Sequence, residues 1–116
     1  EALCARFGQG RAQAAGGAEA ALAGADGMVN ATPVGMAKFP GLPLPAALLS
    51  PPLWVADIVY FPLETPLLAE ARARGCRILS GAGMAVFQAA GAFRLFSGVK
   101  PDADRMLTHF AELTRG

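Results

Sequence analysis

A chain of 116 residues that is 53% hydrophobic and 16% charged, with a formal net charge of +1, is one domain or part of one, with a single modest core. No basic block or acidic tail breaks that balance, so there is no electrostatic footprint for nucleic acid. Apolar runs are interrupted by Pro, Gly or charge well before the ~20 residues a membrane span needs, and no signal-peptide pattern opens the chain, so the expectation is a cytoplasmic protein. Cys4 and Cys76 lie far apart, without a second ligand pair or a partnered His. That argues against a metal site and for two buried thiols in a reducing compartment.

In chain order, residues 1–8 read as the last turns of a helix stopped by Gly8, without an N-cap before them, as in a piece of something longer. Residues 11–15 are assigned to a short strand, although Ala is a poor strand former. Gly17 to Ala23 reads as a short helix. Gly27 to Thr32 is apolar, turns polar at its carboxyl end and stops at Pro33, as a buried parallel strand does when it delivers its last residues to a ligand crevice. Four prolines and two glycines make residues 33–45 a loop, and Pro45 to Leu49 adds one helical turn. Leu53 to Tyr60 is a strand that is apolar on both faces except for Asp57, the pattern of a strand covered by helices on both sides. Asp57 is expected to bond backbone N–H groups or a neighbouring side chain. Thr65 supplies an N-cap, Pro66 the first helical position and Gly75 the left-handed stop of the helix between them.

A third strand, Cys76 to Leu79, breaks at Ser80, Gly81 and Gly83 and is followed by helical spacing to Ser97. Glycines at that turn let backbone approach a flat ligand, and the free N–H groups of the helix start point toward it. On the helix, Met84, Phe87, Gln88, Gly91 and Leu95 share one face by the i, i+3, i+4, i+7 rule. Gln88, the one amide there, either bonds nearby backbone in the core or lines a cleft and bonds a hydroxylated ligand. A last helix starts at Pro101 or Asp102, with Met106, Leu107, Phe110 and Leu113 on its packing face. His109 falls on its exposed side with no catalytic partner.

Strand-then-helix units repeating about every 25–30 residues give the fold class α/β, a three-layer parallel sheet with right-handed crossovers and helices on both faces. By pattern this is the second half of a Rossmann-like dinucleotide-binding domain lacking its first strands. No G-x-G-x-x-G follows a strand and no acidic residue is placed to hold a ribose 2′-OH, so the phosphate-binding half is expected upstream of Glu1.

Several short motifs keep one order and spacing: Asn30-Ala-Thr-Pro-Val-Gly-Met36, Asp57-Ile-Val-Tyr-Phe-Pro-Leu-Glu-Thr-Pro-Leu-Leu68, Gly81-Ala-Gly-Met84, Gln88-Ala-Ala90, Ala92-Phe93 and Gly98 through Pro101-Asp102. Together they resemble the carboxyl-terminal part of the shikimate dehydrogenase and quinate/shikimate dehydrogenase family, over nearly all of the chain from about Ala25 onward. The resemblance implies an enzyme of aromatic amino acid biosynthesis. It reversibly reduces 3-dehydroshikimate to shikimate with NADP or NAD, NADP being favoured by the family. Thr32 and Pro33 match the loop beside the cofactor, Ile58 a position flanking the nicotinamide, Gly81 the glycine near the carboxamide and Met84 a residue packing by the ring. Tyr60 and Gln88 match the two substrate contacts made from this side. The family's catalytic Lys and Asp belong to an amino-terminal domain that nothing here matches, so no catalytic residue is assigned, and Lys38 and Lys100 are read as solvated charges.

Ala85 stands where the commonest shikimate pattern has Leu, and the run Phe93-Arg-Leu-Phe-Ser-Gly98 resembles the quinate/shikimate group at least as well, which leaves both substrates open. Two other classes compete with a cofactor-domain portion that is inactive alone: a binding or regulatory module that has lost chemistry, and an oligomerisation fragment. In the last, the sheet edge at the Asn30 strand would pair with a second copy as a homodimer.

Overall fold

The computed structural model describes residues 1–114; Arg115 and Gly116, at the end of the terminal packing segment that the sequence sets at residues 99–116 with its helix starting at Pro101 or Asp102, lie outside the described residues. Among the described residues, five helices and three strands follow in the order α1 (Ala2–Phe7), α2 (Ala18–Leu22), β1 (Gly27–Asn30), β2 (Trp54–Asp57), α3 (Pro66–Ala73), β3 (Arg77–Leu79), α4 (Ala82–Ser97) and α5 (Ala103–Leu113). A single 3-10 turn, Ala46–Leu48, precedes β2. The sheet is all parallel in the order β1-β2-β3, with Gly27 opposite Trp54 and Trp54 opposite Arg77. The α/β parallel architecture read from the sequence is therefore the one observed.

Register decides which side chains meet. Met28, Val55 and Ile78 lie abreast on one face, where they join Leu49, Leu53, Leu67, Leu68, Ala71 and Cys76 in the core. α3 forms as its sequence dictates. The Thr65 hydroxyl accepts from the Leu68 N–H, Pro66 occupies the first turn, and Gly75 at φ +84° ends the helix in a conformation that L side chains rarely adopt.

Several expectations need correction. Residues 11–15 form no strand; the three described strands pair only with one another. Helical cover on both faces of β2 is not what these residues build: α3 packs on one face, while Val29, Trp54 and Leu79 on the other are exposed. On α4 the buried positions are Val86 and Ala90, an i, i+4 pair, whereas Met84, Phe87, Gln88, Gly91 and Leu95 are exposed. The helix meets the rest of the chain chiefly through α5. Cys76 is buried as expected, but Cys4 is only partly so, because α1 is peripheral and buries no residue. No described helix is long and apolar enough to cross a membrane.

Candidate functional site

The carboxyl ends of β1 and β2 open into one groove of about 840 Å³. From the β1 side come Ala31, Thr32, Pro33, Met36, Ala37 and Lys38; from the β2 side come Ile58, Val59, Tyr60 and Phe61. Parallel strands bring these together because Asn30 and Asp57 are partners in register, so the chain leaving each strand emerges on the same edge. Apolar groups dominate the lining, with the Tyr60 hydroxyl, Thr32 and the Lys38 ammonium as its polar members. A flat, largely apolar ring with a few polar substituents fits such a surface.

Thr32, Pro33, Ile58 and Tyr60, all singled out in the sequence, thus share one groove. Gly81 stands beside it. A Cβ on Gly81 would lie 2.6 Å from the Ile58 carbonyl oxygen and 2.9 Å from that of Asp57, distances at which backbone must move. The missing side chain therefore lets the start of α4 press on the end of β2. That seats the uncapped α4 N-terminus, which has no side-chain cap, next to Ile58. Met84 and Gln88 are not among the groove-lining residues; they lie exposed on the first turns of α4, so Gln88 is not a core amide satisfied by packing.

Hydrogen bonding behind the groove is dense. Asn30 Nδ2 donates to the Val34 carbonyl at 2.9 Å and to Asp57 Oδ1 at 3.0 Å, while Asn30 Oδ1 accepts from Thr32 N at 3.1 Å and Thr32 Oγ1 at 2.7 Å. Asp57 also accepts from Val59 N at 3.0 Å and from Thr65 Oγ1 at 2.7 Å, which bears out its structural reading. Asn30 was legible only as the polar end of a strand. Phe110 was read as packing, yet its ring lies 6.3 Å from that of Tyr60 at a tilt of 54°, an aromatic contact by which α5 reaches the site. Arg72 pairs with Glu64 and Arg74 with Glu70 on the exposed surface, as a solvated face does. His109 lies 3.8 Å from Glu112 and is exposed.

The family model for the shikimate 5'-dehydrogenase C-terminal domain matches residues 81–108. The shikimate dehydrogenase (NADP(+)) of Streptomyces avermitilis is 60% identical over 114 residues, covering 97% of this chain and 39% of that protein. The chain matches the carboxyl-terminal portion of the shikimate and quinate/shikimate dehydrogenase family. Among solved structures, quinate dehydrogenase from Corynebacterium glutamicum in complex with NAD superposes with a TM-score of 0.76 at 50% identity, covering 81% of this chain and 33% of that one. Shikimate 5-dehydrogenase from Listeria monocytogenes, in complex with shikimate and NAD, does so with a TM-score of 0.64 at 38% identity, over 73% of this chain and 30% of that one. The chain thus spans about two-fifths of the length of the Streptomyces relative.

Proposed function

We propose that this chain supplies the cofactor-facing and part of the substrate-facing wall of the hydride-transfer cleft of a shikimate dehydrogenase. The observation that carries the reading is the convergence of the Thr32-Pro33 and Ile58-Tyr60 motif residues on one apolar groove. In this reading Thr32, Pro33, Ile58, Gly81 and Met84 hold a nicotinamide cofactor, NADP or NAD. Tyr60 and Gln88 hydrogen-bond shikimate or 3-dehydroshikimate. The nicotinamide supplies or accepts the hydride. Ile58, with Met36 and Phe61, shields that path from water, and the Tyr60 phenol and Gln88 amide orient ring hydroxyls. The exposure of Tyr60 and Gln88 leaves both free to meet a ligand.

No residue of this sequence matches the family's Lys and Asp, so the 116-residue chain is expected to bind without turning over. Its compartment in this reading is the cytoplasm, its place the biosynthesis of aromatic amino acids, and β1 offers an edge for a homodimer. The experiment is an assay of shikimate-dependent reduction of NADP and NAD together with ligand-observed NMR of both nucleotides and shikimate. Binding without turnover is the expected result; failure of both nucleotides to bind overturns the reading. The likeness to the quinate dehydrogenase supports a second specificity, and quinate displacing bound shikimate in the same NMR experiment would establish it.

A further inference from the structure

Directly behind the groove lie three buried polar side chains, Asn30 and Asp57 at 2% exposure and Thr65 at 0%. They form one relay. The Leu68 N–H donates to Thr65 Oγ1 at 3.3 Å, Thr65 Oγ1 donates to Asp57 Oδ2, Asn30 donates to Asp57 Oδ1, and Thr32 donates to Asn30 Oδ1. The Asn30 amide is saturated, with two donations and two acceptances. The single donor of Thr32 Oγ1 is likewise committed: it donates to Asn30 at 2.7 Å, while the oxygen accepts from Val34 N at 3.3 Å.

Burial alone does not call for this. Asn30 and Asp57 are cross-strand partners at the end of the β1-β2 ladder, where two β-branched apolar residues would satisfy the same position without desolvating a carboxylate and an amide. What apolar residues would not do is tie down the chain beyond the strands. Asn30 binds residues 32 and 34, and Asp57 binds residue 59; these are the two segments that line the groove.

We propose that the Asn30–Asp57 couple is a positioning pair for the groove, fixing its two walls against each other, and that the Thr32 hydroxyl is a latch in this pair, not a ligand donor. Thr32 then has no hydroxyl proton to give a ligand, and meets it through its methyl group, its backbone carbonyl or the remaining lone pair of the hydroxyl. An Asp at position 30 would keep the acceptors and lose both donors, and a Leu would lose all four bonds. The proposal rests on the reading of the groove as a nicotinamide site.

The test combines amide hydrogen exchange by NMR with NADP titration of the 116-residue chain, in Asn30→Leu, Thr32→Val, Thr32→Ser and, as a core-destabilising control away from the groove, Leu49→Ala. Asn30→Leu is expected to speed exchange of the residue 32, 34 and 59 amides about tenfold relative to core amides, and to weaken NADP binding about tenfold. Thr32→Val does so at residue 34, and Thr32→Ser restores that protection. Leu49→Ala loosens the core amides without this selectivity. Unchanged protection in Asn30→Leu and Thr32→Val, a uniform loosening like that of the control, or loosened walls with unaltered NADP affinity each overturns the proposal. Should Asn30→Leu fail to fold, the Thr32 variants decide it, since that residue is exposed. If the unaltered chain binds no NADP, the groove reading fails instead, and the exchange pattern still reports whether the pair holds the walls.

Discussion

Two layers of the molecule a few ångströms apart obey opposite rules of polarity. Behind the strand ends, Asn30, Asp57 and Thr65 are polar and buried; in front of them, Met36, Ile58, Tyr60 and Phe61 are apolar or aromatic and exposed. The α3 face of the sheet shows the ordinary arrangement, with Leu49, Leu67 and Leu68 at 1% exposure or less. The inversion locates the site. Buried hydrogen bonds specify geometry where burial of hydrocarbon would specify only proximity, and the exposed apolar surface in front of them rests on that scaffold.

The largest effect is expected from removing the centre of the buried layer. Asp57→Ala leaves Asn30 Nδ2, Val59 N and Thr65 Oγ1 without their acceptor and should cost about 3–5 kcal/mol in urea unfolding; a loss under about 1 kcal/mol would mean that water replaces the carboxylate and that the layer is not a dry scaffold. Next, Gly81→Ala must push α4 off the Ile58 carbonyl, at about 2–3 kcal/mol. A variant with an unshifted melting curve would show that α4 is not held there. Thr65→Ala, which loses both the cap of α3 and one bond to Asp57, should cost about 2 kcal/mol by the same measurement. Smallest in stability is Tyr60→Phe in the exposed layer, within about 0.5 kcal/mol of the parent, with shikimate affinity down about fivefold in ligand-observed NMR; unaltered affinity would remove the phenol from the substrate contacts.

Much of this was legible because local chemistry and tertiary role coincide. Thr65, Pro66 and Gly75 read as cap, first turn and stop, and each is found so. The polar end of the Asn30 strand pointed to the crevice edge, and the lone Asp57 in an apolar strand pointed to bonds with backbone or a neighbouring side chain. Their mutual bond was not legible, because it depends on the register of strands 27 residues apart, which periodicity does not encode. The α4 face failed for a related reason. Met84, Phe87, Gln88 and Leu95 form a stripe at helical spacing, but spacing says which residues share a face and not what that face meets. The 11–15 strand failed because none of the described strands pairs with it to overrule weak propensity. Phe110 shows the converse: a residue with an ordinary packing pattern reaches Tyr60 only once α5 is folded back.

The most direct test is a chemical-shift map of the isotopically labelled chain, titrated first with NADP and then with shikimate. The account predicts that NADP shifts cluster at Thr32, Ile58, Gly81 and Met84, and that shikimate adds Tyr60 and Gln88. Shifts confined to the cleft between α4 and α5, where Phe93, Arg105 and His109 line a separate cavity of about 780 Å³, or none at saturating ligand, would contradict it.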